Sequence, residues 1–321
     1  MDAVTRRPVA DPAFRADVLA GLAAPIPAIP ARWLYDHRGS ELFEEITRLP
    51  EYYPTRTETA LLERHSGDFA RLIAPDAAVI EFGSGSSAKT PILLRAIDPG
   101  AYVPIDISGD FLRESADALG ADFPGLPVIP VEVDFMGPIA LPGAVRAMPK
   151  LGFFPGSTIG NLVARTAVDL LRAMKETLGE GSRLLIGMDR IKDVDVLRAA
   201  YDDAAGVTAE FNLNLLHRIN AELEGDIPVD AFRHRAIWND ELSRIEMHLE
   251  AQRDVAFSVA GERFVFRAGA TIHTENSHKY GHRDSRLLLR AAGWGVVEEW
   301  TDAEQWFSIL LAEAEPPRFA P

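Results

Sequence analysis

Val79-Ile-Glu-Phe-Gly-Ser-Gly-Ser-Ser-Ala-Lys-Thr90 carries a short apolar strand into a glycine-rich turn and then toward a helix. Gly83 and Gly85 lack the Cβ atoms that would hold a ligand off the backbone, and a helix start offers unpaired N–H groups and a positive dipole end. Gly83-x-Gly85-x-x-Ala88 also fits the dinucleotide fingerprint. Many structural turns carry two glycines, so the turn alone indicates a nucleotide-like cofactor without choosing one.

Outward from this turn, the pattern is that of an α/β protein. Strands are expected at 78–82, 101–105, 127–133, 150–154 and 182–188, with helices between most of them, the rhythm of a doubly wound parallel sheet. Upstream, 25–30 reads as a proline-rich connector and 40–49 as a short amphipathic helix. Thr55-x-x-Glu58 reads as a capping box opening a helix whose apolar side carries Leu61, Leu62, Phe69 and Ile73. Downstream, 193–224 is helical with a break near Gly206. Segments 237–250, 254–259, 262–267 and 271–279 then read as antiparallel strands. A helix at 284–292 and strands at 294–301 and 306–314 close the chain, which suits a Rossmann-like class I methyltransferase sheet whose last strand is antiparallel. The expected division is a cofactor-binding domain of 57–192 plus 281–321, and an α+β substrate-binding domain of 1–56 plus 193–280.

Composition narrows the function classes. The 321 residues are 47% apolar, enough for a substantial core. No apolar run approaches the roughly 20 residues that cross a bilayer, and Met1-Asp-Ala-Val-Thr-Arg-Arg-Pro8 has no apolar signal core behind it. The expectation is a cytoplasmic monomer that does not engage membranes. The absence of cysteine removes disulfides, thiolate metal sites and thiol nucleophiles. A net charge of -15 disfavours nucleic acid as a partner, because such affinity rests on neutralising phosphates.

Glu81 precedes Gly83 by two residues, giving the Glu-x-Gly-x-Gly form typical of S-adenosylmethionine-dependent methyltransferases. Asp106 ends the second strand, where a carboxylate accepts hydrogen bonds from ribose hydroxyls. That acid is shared with nicotinamide enzymes, so it does not separate the two classes. Asp134-Phe135, ending the third strand, fits S-adenosylmethionine better, with a carboxylate for an adenine amino group beside an aromatic contact. A nicotinamide-dependent oxidoreductase is the rival from another class, although no acid/base constellation is placed to serve a hydride acceptor. A noncatalytic ligand sensor is a further alternative.

Four longer motifs then point to a family: Leu49-Pro-Glu-Tyr-Tyr-Pro-Thr-Arg-Thr-Glu58, Gly156-Ser-Thr-Ile-Gly-Asn-Leu162, Ala200-Tyr-Asp-Asp-Ala-Ala-Gly-Val-Thr208 and Thr274-Glu-Asn-Ser-His-Lys279. The chain resembles the L-histidine Nα-methyltransferases of ergothioneine biosynthesis (the EgtD family) over nearly its whole length. The resemblance implies S-adenosyl-L-methionine as methyl donor, L-histidine as small-molecule substrate, and three methylations of the α-amino group to give hercynine. By that resemblance Gly83, Lys89, Asp106, Asp134 and Phe135 line the cofactor site. Asn161 and Tyr201 match positions holding the main-chain end of the amino acid, and Tyr52, Met247, Glu275 and Ser277 match the histidine pocket. Tyr35 matches a tyrosine near the reacting amine, where it would help carry the proton away as a relay. A methyltransferase of another amino acid or small amine is the nearest alternative.

Some of these residues make sense on their own chemistry. Two apart on a strand, Glu275 and Ser277 face the same side, so one carboxylate and one hydroxyl can meet both imidazole nitrogens. Asn161 follows the fourth strand, at the edge where doubly wound sheets bind ligands, but it equally suits a cap for a helix starting near Val163. Met247 sits in the alternating apolar Ile245-x-Met247-x-Leu249, which ordinary packing also explains. His273 and His278, five apart, fall on opposite strand faces, and no metal is expected.

Overall fold

A computed structural model describes residues 11–85, 89–107 and 109–316. The N-terminal octapeptide, residues 86–88 of the glycine turn and the last five residues lie outside the described residues. In chain order the helices are α1 (Pro12–Ala23), α2 (His37–Thr47), α3 (Tyr53–Arg64), α4 (Ser66–Leu72), α5 (Thr90–Ile97), α6 (Gly109–Asp122), α7 (Ala164–Leu178), α8 (Val194–Tyr201), α9 (Val207–Glu222) and α10 (His282–Ala291). The strands are β1 (Ala78–Phe82), β2 (Ala101–Asp106), β3 (Val131–Glu132), β4 (Lys150–Phe154), β5 (Arg183–Asp189), β6 (Phe232–Asn239), β7 (Arg244–Ala251), β8 (Val255–Val259), β9 (Glu262–Phe266), β10 (Thr271–His278), β11 (Trp294–Thr301) and β12 (Phe307–Ala314). The chain divides into two compact units, Met1–Tyr52 with Asp193–Ser277, and Tyr53–Lys192 with His278–Pro321.

The second unit holds a seven-stranded sheet in the order β11-β12-β5-β4-β1-β2-β3. β3, β2, β1, β4 and β5 pair in parallel, and β12 enters antiparallel between β5 and β11. This is the α/β, Rossmann-like architecture expected. β1 is buried at all five residues, so its two faces feed two cores: Ala78, Ile80 and Phe82 face Phe154, Leu170 and Ile186, while Val79 faces Leu62, Phe69 and Tyr102. The chain turns outward to β2 and β3 and then crosses back to β4, so the strand order reverses between β1 and β4. That crevice is where open α/β sheets bind ligands.

The first unit contains a three-stranded sheet, β10-β7-β6, and the β8-β9 hairpin. The break in the 193–224 helical stretch falls at Gly206, whose φ of +80° precedes α9. The 25–30 connector is extended, with Ala28 bridged to His273 of β10.

Three local expectations need correction. The strand expected at 127–133 pairs as β3 only over Val131–Glu132, with Val128 bridging Tyr102; Pro127 and Pro130 carry no N–H for the ladder. The single strand expected at 237–250 is a hairpin: Asn239 Oδ1 accepts from Leu242 N (3.1 Å) and Ser243 has φ +48°, turning β6 into β7. Thr55 and Glu58 form no capping box, because α3 begins at Tyr53 and is pre-set by Pro54 in its first turn. Glu58 points inward and is buried.

Candidate active site

In the second unit the glycine turn follows β1. Gly83 (φ +69°) and Gly85 (φ +50°) hold left-handed conformations, and a Cβ on Gly83 would come 3.3 Å from the Phe135 ring. Phe135 itself packs edge-on against Phe82 (6.2 Å between centroids) and Phe154 (6.3 Å). Asp106, the last residue of β2, accepts through Oδ2 from Gly85 N (3.0 Å). Asp134 lies two residues beyond β3 and accepts from Met136 N (2.9 Å). Bare backbone at the turn, a carboxylate at the end of β2 and an aromatic ring against the turn fit a nucleoside-bearing cofactor.

Glu81 acts beneath this turn rather than in it. Its side chain accepts from Thr90 Oγ1 (2.7 Å), at the start of α5, and from Tyr102 OH (2.5 Å) on β2. Burial pushes its carboxyl up to about 7, and the two hydroxyl donors offset that only in part.

Lys89, placed by family resemblance at the cofactor, ion-pairs with buried Glu58. Glu58 also accepts from Gly156 N (2.9 Å), so one carboxylate ties the start of α5 to the loop after β4. Gly187 makes room for it, because a Cβ there would lie 2.0 Å from Glu58 Oε1. The Thr55-x-x-Glu58 spacing disguises Glu58 as a cap; the signal of its inward role is one acid on the apolar side of α3. Asn161 ends a 3-10 turn (Thr158–Asn161) after β4. Val163 occupies the N-cap of α7, so capping that helix is not the role of Asn161.

In the first unit the expected pocket residues form a connected group. Glu275 and Ser277 are both buried on β10. Tyr201, the last residue of α8, hydrogen-bonds Ser277 Oγ through its hydroxyl (2.7 Å). Its ring packs edge-on against Tyr52 (6.1 Å), Tyr52 against Phe43 (6.1 Å), and Phe43 against Tyr35 (5.5 Å). Tyr35 also meets Phe211 at 5.4 Å. Met247 is buried on β7, and its carbonyl lies 3.0 Å from the hydroxyl of Thr274, the neighbour of Glu275. Phe43 and Phe211 were not expected, since an aromatic on a helix reads as ordinary core.

The histidines fall differently from the pair considered in the sequence. His278 contacts the Gly160 carbonyl through Nδ1 (2.8 Å), whereas His273 stacks on His248 (4.7 Å, 17°) beside Glu246. The three ligand-type atoms lie within 4.8 Å of one another. Burial opposes ionisation of Glu246, but hydrogen bonds from Arg244, Asn239 and His248 outweigh it and hold the carboxyl at about 2. With the rings nearly parallel, their in-plane lone pairs run side by side, so converging on one cation would require a ring to turn.

A sequence profile described as histidine-specific methyltransferase, SAM-dependent, matches residues 14–314. The chain belongs to this family. Histidine N-alpha-methyltransferases of Mycolicibacterium smegmatis and Mycobacterium tuberculosis are each 40% identical to it over 307 residues, covering 94% of this chain and 94% of theirs. Ergothioneine biosynthesis protein 1 of Neurospora crassa is 32% identical over 302 residues, which cover 89% of this chain and 33% of that protein. The resemblance carried by the four sequence motifs therefore holds across the chain. Among the described residues, no helix is long and apolar enough to cross a membrane.

Proposed function

We propose that the protein trimethylates the α-amino group of L-histidine, using S-adenosyl-L-methionine, to give hercynine, the first step of ergothioneine biosynthesis. The observation that carries this reading is the buried polar group on β10, where Glu275 and Ser277 lie on one strand and Tyr201 is bonded to Ser277. The reading extends to a cytoplasmic monomer that acts without a metal ion or nucleic acid, the last supported by the net charge of -15.

The methyl donor supplies an already activated methyl group. What remains for the chain is to bind, orient and deprotonate the amine while excluding water. Glu275 accepts the N–H of one imidazole nitrogen. The Ser277 hydroxyl serves the other nitrogen. Asn161 and Tyr201 hold the main-chain end, Met247 walls the side chain, and Gly83, Lys89, Asp106, Asp134 and Phe135 serve the cofactor end. An α-amino group is largely protonated near neutral pH, so a proton must leave before each attack. Tyr35, braced by Phe43 and Phe211, carries it toward water. Aromatic faces tolerate the quaternary nitrogen of the product, where a clamped carboxylate would hold it back.

Incubating the protein with S-adenosylmethionine and each amino acid in turn, with products read by mass spectrometry, tests the proposal. Histidine gaining one, two and three methyl groups is the expected result. Methylation of a different amino acid in preference to histidine refutes the substrate, and tight nicotinamide binding without any methylation refutes the reaction.

A further inference from the structure

Asn212 of α9 is wholly buried, and its amide meets three partners. Nδ2 donates to His234 Nδ1 (2.9 Å) and to the His248 carbonyl (3.2 Å), while Oδ1 accepts from Thr274 Oγ1 (2.7 Å). A carbonyl can only accept, so His248 fixes which end of the amide is nitrogen. The other Nδ2 hydrogen then points at His234 Nδ1, which must present a lone pair. On the opposite side of the ring, His234 Nε2 lies 2.7 Å from the Tyr201 carbonyl, another group that only accepts. Both contacts demand the same neutral tautomer, with the proton on Nε2. Asp202 and Asp203, after α8, and His248 of β7 are the charged and titratable groups acting on His234, and burial outweighs the bond to the Tyr201 carbonyl and the two acids to lower its basicity.

The two ends of this chain of bonds are informative. Tyr201 closes α8, and the following Asp202 does not adopt a left-handed cap (φ -150°). His234 supplies a donor to this helix-end carbonyl, and it does so on the residue whose hydroxyl reaches Ser277. At the other end, Thr274 is the β10 residue immediately before Glu275. A single buried amide thus couples the helix end bearing Tyr201 to the strand bearing Glu275 and Ser277.

We propose that Asn212 and His234 are positioning residues that set Tyr201 against Ser277 and Glu275, and through them set affinity for the amino-acid substrate. The inference rests on reading those three residues as the amino-acid pocket. Small displacements of such groups cost binding and orientation disproportionately. The relay needs a donor at the His234 Nε2 position, and the amide of a glutamine can place one there.

Three measurements test it together. In protein labelled with 15N-histidine, two-bond proton–nitrogen spectra assigned with His234→Gln should show His234 as the neutral Nε2–H tautomer. His234→Phe should raise the KM for histidine about tenfold with little change in the KM for S-adenosylmethionine, whereas His234→Gln should stay within about threefold of wild type. In a Tyr201→Phe background, the His234→Phe loss should largely disappear, because the hydroxyl it positions is gone. A charged or Nδ1–H His234 overturns the proposal even if His234→Phe does not fold. Unchanged histidine KM in His234→Phe, equal losses in both His234 variants, or a loss that persists in full without the Tyr201 hydroxyl also overturn it. A wild-type protein that methylates another amine but not histidine refutes the substrate assignment alone, and the same comparisons made with that amine then decide the relay.

Discussion

Replacing Glu81 by glutamine should convert a pH-dependent weakness of the fold into a flat term. The Glu81 carboxyl, ordinarily near 4.5, is pushed by burial to about 7. At about 1.4 kcal/mol per unit of pKa, that difference makes ionisation roughly 3 kcal/mol less favourable in the folded chain than in the unfolded one. Because the folded pKa is the higher, the folded chain binds more protons between the two values. The contribution is fully present below about pH 4.5 and is lost as pH rises through 7. Glu81→Gln removes this titration and keeps an acceptor for Thr90 and Tyr102, whose hydroxyls now donate to the carboxylate. Urea unfolding of both proteins from about pH 4 to about pH 8 measures the effect: the stability of the variant relative to wild type should rise by roughly 3 kcal/mol across that range. Affinity for S-adenosylmethionine should change little, since Glu81 supports the turn from below. A stability difference that does not vary with pH would refute the assignment of a buried acid, its ionisation opposed by burial, under the glycine turn.

Four further outcomes follow from named contacts. Glu275→Ala should weaken histidine binding by about 100-fold and flatten preference among amino acids, because a polar pocket rejects apolar analogues only while its buried groups need partners; calorimetry across an amino-acid panel reads this, and an equal loss for every amino acid counts against the role. Tyr35→Phe should lower kcat about 100-fold while leaving histidine affinity near wild type, as measured by single-turnover kinetics; unchanged turnover removes Tyr35 from the proton path. Gly83→Ala should cost about 1–2 kcal/mol in stability from its left-handed backbone, and more in cofactor affinity, because its methyl group would sit 3.3 Å from Phe135. Asp189→Asn should destabilise by about 3–5 kcal/mol in urea unfolding, since Lys192 and buried Lys279 both pair with buried Asp189; a loss below about 1 kcal/mol would mean that the lysines find another partner.

What the sequence revealed and what it concealed divide along the range of the interaction. The parity of Glu275 and Ser277, the glycines of the β1 turn and the break at Gly206 are set by neighbours in the chain, and all three are legible because local geometry admits few alternatives. The edges of elements were less legible where two local signals competed: Pro127 and Pro130 shortened an apolar run that otherwise reads as a full strand, and Pro54 started α3 ahead of the apparent Thr55 cap. Partners of buried polar groups were not legible at all. Glu58 answers Gly156, 98 residues away, and Tyr201 answers Ser277, 76 residues away. No periodicity encodes such a pairing, because only the completed fold brings the two groups together. The residues that did betray it share one trait: each is a polar side chain standing where the surrounding pattern calls for an apolar one. Glu58 lies on the apolar side of α3, Asn212 follows Phe211 on α9, and His234 follows Phe232 on the buried face of β6. Burying such a group without a partner costs roughly 1–3 kcal/mol, so each one announces a bond to be made even though it does not say with what. In this chain those bonds lead to the glycine turn in one unit and to Tyr201 and β10 in the other. The polar exceptions to the hydrophobic pattern therefore point to the chemistry more directly than the pattern that frames them.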